Sequence, residues 1–297
     1  MISIGITGAT GFVGKSILEN NKEHYRFFCY KKNESFVIKE DVVLHLAGKA
    51  HDLKNVTAHN EYYAVNTDLT KTIFDNFLSS EAKVFITLSS VKAVADELDE
   101  ELTESYNPNP ITHYGKSKLL AEQYILSKPI PRGKRVYILR PCMIHGPGNK
   151  GNLNLLYKIV NKGLPWPLGA FENKRSFCSV DNLVFIINEL IENDQIPSGV
   201  YNIADDESIS TNELIGIIAN VSNKPALIFC IPKSLIRVVA KIGDFIKLPL
   251  NKEKLKKLTE TYLVSNQKIK SVIKKPLPLT SKEGLLKTLN SFNNNAK

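Results

Sequence analysis

The stretch Ile2-Ser3-Ile4-Gly5-Ile6-Thr7-Gly8-Ala9-Thr10-Gly11-Phe12-Val13-Gly14-Lys15-Ser16-Ile17-Leu18 decides the fold. Ile2, Ile4 and Ile6 read as a strand running into a glycine-rich turn, and Phe12, Val13, Ile17 and Leu18 then recur at helical spacing. Glycine at positions 8 and 11 lets the backbone turn tightly and approach a pyrophosphate, and Gly14 lets helix and strand pack closely. The helix N-terminus adds unsatisfied N–H groups and the positive end of its dipole. A strand, Gly-x-x-Gly-x-x-Gly and a helix in that order predict a dinucleotide site at Gly8, Thr10, Gly11, Phe12, Val13 and Gly14. A Gly-rich turn by itself is also just a turn, so the rest of the chain has to support this reading.

It does so by repetition. Apolar runs at Tyr25 to Tyr30, Val42 to Leu46, Val84 to Leu88 and Val136 to Leu139 read as buried strands, with helical patterns at Asp68 to Ser79 and Tyr114 to Leu126. Strands alternating with helices predict an α/β fold, a Rossmann-type doubly wound parallel sheet. After Pro141 the beat is lost in a Pro- and Gly-punctuated stretch, Ile144 to Ala170, where a second unit begins. A helix at Asn182 to Glu192 and a strand at Val200 to Ile203 then return to the sheet. The expected division is residues 1–146 plus about 176–204 for the dinucleotide-binding domain, and about 147–175 plus 205–297 for a smaller, interleaved α/β substrate domain. The Asn-rich tail from Asn290 to Lys297 reads as frayed.

Composition narrows the partners. The chain has 297 residues, 43% hydrophobic and 23% charged, which is ordinary globular usage. Its formal charge of +9 suits a nucleic acid, a membrane surface or an anionic small substrate. Only six of the basic residues are Arg (Arg26, Arg132, Arg135, Arg140, Arg175, Arg237), so bidentate phosphate forks are scarce and dedicated nucleic-acid binding is not expected. Cys29, Cys142, Cys178 and Cys230 lie far apart, and His45, His51, His59, His113 and His145 lack ligand spacing, so neither a metal site nor a disulfide framework is predicted. A reducing cytoplasm fits, with no signal peptide and no run long enough for a transmembrane helix.

Two further motifs carry chemistry. In Tyr114-Gly115-Lys116-Ser117-Lys118, Tyr114 and Lys118 stand four apart on a predicted helix and share a face; a lysine beside a phenol lowers its pKa toward neutrality. Phe85-Ile86-Thr87-Leu88-Ser89-Ser90 ends a strand on two hydroxyls at the edge that faces the ligand crevice. Ser90 can donate to a substrate oxygen or cap local backbone, and spacing alone leaves both readings open. Where an acidic residue usually holds the adenosine ribose, the chain has Lys31-Lys32. That pair suits the 2′-phosphate of NADP, and it is equally what a Lys-rich chain places at a strand end.

Together these residues resemble the extended short-chain dehydrogenase/reductases that act on nucleotide sugars. The likeness runs through Thr7 to Gly14, His45-Leu46-Ala47-Gly48, Val65-Asn66-Thr67, Ser89-Ser90, Tyr114 to Lys118, Leu139-Arg140-Pro141, Gly146-Pro147-Gly148, Arg175 to Leu183 and Tyr201-Asn202-Ile203-Ala204. Arg140 to Gly148 and Gly163 to Gly169 resemble most the bacterial enzymes that reduce or epimerise C4 of UDP-N-acetylhexosamines. The resemblance implies a catalytic set of Ser90, Tyr114 and Lys118, with NAD or NADP beside the glycine loop, Lys31, Lys32, Leu46, Ala47, Gly48, Asn66 and Ser89. It implies a UDP-sugar held at Ser90 and Tyr114, with Arg175 and Asn152 at its diphosphate, and a homodimer in polysaccharide biosynthesis. Family dehydratases carry Asp-Glu just after the hydroxyl residue; here Val91-Lys92 follows Ser90, which disfavours dehydration. Met143 stands where many UDP-hexose 4-epimerases have Asn, which counts against simple galactose epimerisation; Lys31-Lys32 tilts the expectation toward a 4-ketoreductase, with a 4-epimerase second. A non-catalytic dinucleotide-binding scaffold is the third reading. Leu227 to Leu250 is apolar with interspersed Lys233, Arg237, Lys241 and Lys247; it reads as substrate-domain helices, with a peripheral membrane contact as the alternative.

Overall fold

A computed structural model describes residues 1–31, 37–49, 58–149, 152–246 and 251–294. The elements run β1 (Ser3–Thr7), α1 (Phe12–Asn21), β2 (Arg26–Tyr30), β3 (Val42–His45), α2 (His59–Tyr62), a π-helical segment Tyr63–Asp68, α3 (Leu69–Ser79), β4 (Val84–Leu88), α4 (His113–Ser127), β5 (Arg135–Pro141) and β6 (Met143–His145). They continue through α5 (Asn152–Asn161), β7 (Phe177–Ser179), α6 (Val180–Glu192), β8 (Gly199–Ile203), α7 (Thr211–Val221), α8 (Lys233–Ile246), α9 (Lys252–Thr259), α10 (Gln267–Ile273) and α11 (Ser281–Asn294).

Six strands form a wholly parallel sheet in the order β2-β1-β3-β4-β5-β8. Its two faces follow from the period-two alternation of each strand. Ile4, Ile6, Val42, Leu44, Ile86, Leu139 and Ile203 point into one core with Leu183, Ile187 and Leu190 of α6. Val43, Phe85, Val136 and Ile138 point into the other, against Ile73, Phe74 and Phe77 of α3 and Ile125 of α4. Both faces are therefore dry, and the strands need no polar face. The chain leaves β1 toward β2 on one side and toward β3 on the other, so the direction of winding reverses between β1 and β3. In an open α/β sheet that reversal opens a crevice at the strands' carboxyl ends. Among the described residues no strand lies outside β2, in keeping with the short connection between β2 and β3.

A second core gathers Leu153, Tyr157, Trp166, Phe177, Leu214, Ile218, Leu285 and Leu289 from α5, α7, α11 and the segments between them. Here two expectations are corrected. The Pro- and Gly-rich stretch after Ile144 contains a regular helix, α5, because Leu153, Tyr157 and Val160 recur at helical spacing and are all buried. The tail, expected to fray from Asn290, is helical to Asn294, because Leu289 and Phe292 are buried.

Candidate active site

The crevice between β1 and β3 is shaped by glycine. Gly8 has φ +74°, and a Cβ there would lie 2.6 Å from the Ala47 nitrogen; a Cβ on Gly14 would lie 2.4 Å from the Gly8 carbonyl oxygen. Only hydrogen fits where the turn after β1 crosses the segment after β3. Gly11 starts α1 with no side-chain cap, and no acidic residue sits in the first turn. The helix N–H groups and dipole are thus left for an anion. His45 binds Thr7 through Nδ1 (2.7 Å) and Thr70 through Nε2 (2.9 Å), tying β1, β3 and α3 together. Burial first, then the nearby Lys118 charge, push its pKa down to about 3, so it is a neutral core histidine.

Across the crevice, Thr112 caps α4, accepting from the Gly115 N–H at 3.2 Å, and is itself held by Asp96. The reason for glycine in Tyr114-Gly115-Lys116 is packing. A Cβ on Gly115 would meet the Lys92 carbonyl oxygen at 2.3 Å. Helix α4 comes that close to the turn after β4, and this approach brings Tyr114 to Ser90. Ser90 Oγ accepts from the Lys92 N–H (3.2 Å) and also hydrogen-bonds the Tyr114 phenol. The local capping reading that the sequence left open for Ser90 therefore holds, and its hydroxyl also stands beside the Tyr114 phenol. Gly115→Ala is expected to keep the fold but lower kcat by about 100-fold, the usual result of displacing a reacting group by an ångström; steady-state kinetics beside a melting curve would check it.

The electrostatics differ from expectation in one respect. Lys118 was expected to lower the Tyr114 pKa, yet its Nζ donates to the Leu88 carbonyl oxygen at 2.8 Å and lies near Gly48 and Asn66. Burial instead pushes the Tyr114 phenol up, with the Ser90 hydrogen bond opposing and Tyr62 adding to the rise. Lys118 is buried and its pKa is lowered to about 8, the nearby Glu122 carboxylate partly compensating. Glu122 is a residue that sequence reasoning missed. It lies one turn along α4 from Lys118, accepts from Ser89 Oγ, and is bound by Arg140 through Nε (3.0 Å) and Nη2 (2.5 Å), all of them buried. Ser89, expected beside the cofactor, thus spends its hydroxyl on this pair. Breaking a buried ion pair leaves an uncompensated charge, so Glu122→Gln is expected to cost about 3–5 kcal/mol, read as a lowered urea midpoint.

Asn66 is fully buried; its Oδ1 accepts from the Lys49 N–H (2.8 Å), and its Nδ2 donates to the Lys49 carbonyl and Ser117 Oγ. It holds the loop after Gly48 rather than pointing outward. Lys31 is exposed at the end of β2, and Lys32 lies outside the described residues. Asn152 begins α5, and its side chain also lies outside them. Arg175 donates through Nη2 to the Lys257 carbonyl and to Glu260 Oε1 (3.3 Å), and through Nε to the Glu260 carbonyl. It lines a cavity of about 470 Å³ together with Met143, Leu153, Trp166, Lys254 and Leu258. Ser90, Tyr114 and Lys118 are not among the residues lining it.

Comparison with known proteins gives concordant results. A sequence model of the NAD dependent epimerase/dehydratase family matches residues 31–204. A UDP-glucose 4-epimerase of Vibrio cholerae is 28% identical over 98% of this chain and 95% of its own. An N-acetyl-α-D-glucosaminyl-diphospho-ditrans,octacis-undecaprenol 4-epimerase of Escherichia coli O157:H7 is 28% identical over 74% of this chain and 72% of its own. Among solved structures, the UDP-glucuronic acid 4-epimerase of Bacillus cereus in complex with NAD covers 100% of both chains with a TM-score of 0.78 at 18% identity, a likeness of fold.

Proposed function

The chain belongs to the NAD-dependent epimerase/dehydratase family, and from that premise we propose that it is a 4-epimerase of a UDP-hexose or UDP-N-acetylhexosamine, with Tyr114, Ser90 and Lys118 at the reacting carbon. The observation that carries the reading is the Tyr114 phenol, hydrogen-bonded to Ser90 at the carboxyl end of β4 and beside the glycine-lined crevice. The crossing at Gly8 and Gly14 admits no side chain, and the uncapped α1 N-terminus offers N–H groups, so these residues fit a dinucleotide pyrophosphate. Gly8, Thr10, Gly11, Phe12, Val13 and Gly14 would hold it, Leu46, Ala47 and Gly48 would pass beside it, and Lys118 would meet its ribose. When bound, NAD(P) supplies hydride exchange with the sugar's C4.

The chain's own residues do the rest. Tyr114 takes the proton from O4 as the carbonyl forms and returns it after the keto sugar turns over. Ser90 orients O4. Arg175, with Lys254 and Lys257 on the same cavity wall, supplies cations for the diphosphate. No carboxylate follows Ser90, where Val91 and Lys92 stand, which argues against 4,6-dehydration.

Epimerisation now outweighs the 4-ketoreductase expectation, because a relative that aligns over 98% of this chain and 95% of its own is named as a 4-epimerase. The two part in one assay. Incubation with UDP-GlcNAc or UDP-glucose should give the C4 epimer without net change in nicotinamide absorbance. Loss of that absorbance only with a UDP-4-keto-6-deoxy sugar and NADPH would make the enzyme a reductase. Binding of cofactor with turnover of neither sugar class would leave a scaffold. A second reading keeps the chemistry and changes the carrier. The cavity beside Arg175 is walled largely by Leu153, Leu155, Leu156, Ile159, Trp166 and Leu258, a lining that suits the first isoprene units of a polyprenyl diphosphate sugar. The Escherichia coli relative is named for such a substrate.

A further inference from the structure

Helix α8 has two apolar stripes, and only one is used. Ile236 (5% exposed) and Ala240 (0%) pack into the second core. Leu235, Val238, Val239 and Ile242 recur at i, i+3, i+4 and i+7 and are 53%, 51%, 37% and 47% exposed. That spacing puts four branched side chains in one row along the helix. Just before the helix, Leu227 and Phe229 are exposed as well. Lys233, Arg237 and Lys241 are exposed on the rest of the helix; its acid, Asp244, is within 3.5 Å of Lys252 Nζ. At 14 residues the helix is about 21 Å long, too short to cross a bilayer and suited to lying on one.

We propose that the exposed face of α8 docks the protein on an anionic lipid bilayer. An apolar row bordered by cations is the pattern of interfacial helices, in which the aliphatic side chains enter the acyl boundary and the cations meet lipid phosphates. A second copy of the chain is the weaker occupant, since antiparallel α8 helices would bring Arg237 and Lys241 of both copies together. The net charge of +9 acts in the same direction as the patch. Position matters too: α8 packs on α9, whose Lys254, Lys257 and Leu258 line the cavity that holds Arg175. The docking helix thus adjoins the helix that walls that cavity. The inference does not depend on which sugar is used or on whether C4 is the reacting carbon.

The test is co-sedimentation of the full chain with vesicles of phosphatidylcholine alone or mixed with phosphatidylglycerol. Wild type should partition onto the mixed vesicles, and raising the salt should release it. Val238→Glu/Ile242→Glu should lower partitioning at least tenfold, and Arg237→Gln/Lys241→Gln by roughly fivefold per lysine or arginine removed. Both variants should turn over a soluble UDP-sugar at the wild-type rate, which separates loss of docking from loss of fold or of activity. Equal sedimentation with and without anionic lipid, or unchanged partitioning of both variants, would overturn the proposal. A wild-type dimer in sedimentation velocity that dissociates in Val238→Glu/Ile242→Glu would assign the face to a second copy instead.

Discussion

Tyr114→Phe is expected to lower kcat by at least about 1,000-fold while cofactor affinity and melting temperature stay close to wild type, because a positioned acid/base contributes about 10²–10⁴ and Tyr114 is the phenol hydrogen-bonded to Ser90. The ring is retained, so its edge-on packing with Tyr62, at 6.1 Å between centroids, is unchanged. The lost hydroxyl leaves Ser90 its bond from the Lys92 N–H. Little stability should therefore be lost with the activity. Burial holds the free phenol above its ordinary value, so in the ligand-free enzyme it is protonated at neutral pH and must give up that proton before it can serve as the base at O4. The alkaline rise of kcat/KM for oxidation of a UDP-sugar should vanish in the variant. A variant with more than about a tenth of wild-type kcat would remove Tyr114 from the proton transfer.

Much of this site is written in short-range patterns. The Gly8, Gly11 and Gly14 spacing, the alternation of Ile4 and Ile6, and the strand-end Ser89-Ser90 each report a local constraint, and the sheet follows because several such segments repeat. What escaped sequence reading depends on residues far apart in the chain. Gly115 is dictated by the Lys92 carbonyl across the site, and Glu122 finds Arg140 only after α4 and β5 meet. Spacing of i, i+4 placed Tyr114 and Lys118 on one helix face correctly. It could not give the lysine's rotamer, which carries Nζ to the Leu88 carbonyl instead of toward the phenol. Helix α5 was hidden for the opposite reason: Gly and Pro around it mark the ends of a short element, and their density masked the Leu153, Tyr157, Val160 period between them. The apolar run from Leu227 showed that a helix was present, but not that one of its stripes would stay uncovered.

Lys118→Met separates catalysis from stability, because the two should change differently with pH. Turnover is expected to fall at least about 100-fold if Lys118 meets the cofactor ribose as proposed, because the positioning cation is gone. Stability has its own sign. Lys118 has a pKa of about 8 in the folded protein against an ordinary 10.5, so the folded chain binds this proton more weakly than the unfolded chain. Below about pH 8 both states are charged and burial of the ammonium costs its full amount, about 3 kcal/mol at one pKa unit per 1.36 kcal/mol. As pH rises from about 8 to 10.5 the folded state sheds the proton first, and the cost disappears. The methionine variant carries no such term, but it leaves the Leu88 carbonyl without its donor, a pH-independent loss of about 1–3 kcal/mol. At pH 7 the two contributions offset and the variant should lie within about 2 kcal/mol of wild type. By pH 10 wild type should have gained about 2 kcal/mol on it. Urea denaturation of both proteins at pH 7 and pH 10 measures that change directly. A constant gap between them would mean that the Lys118 ammonium is solvated in the folded protein, and that its role near Tyr114 does not rest on a desolvated charge.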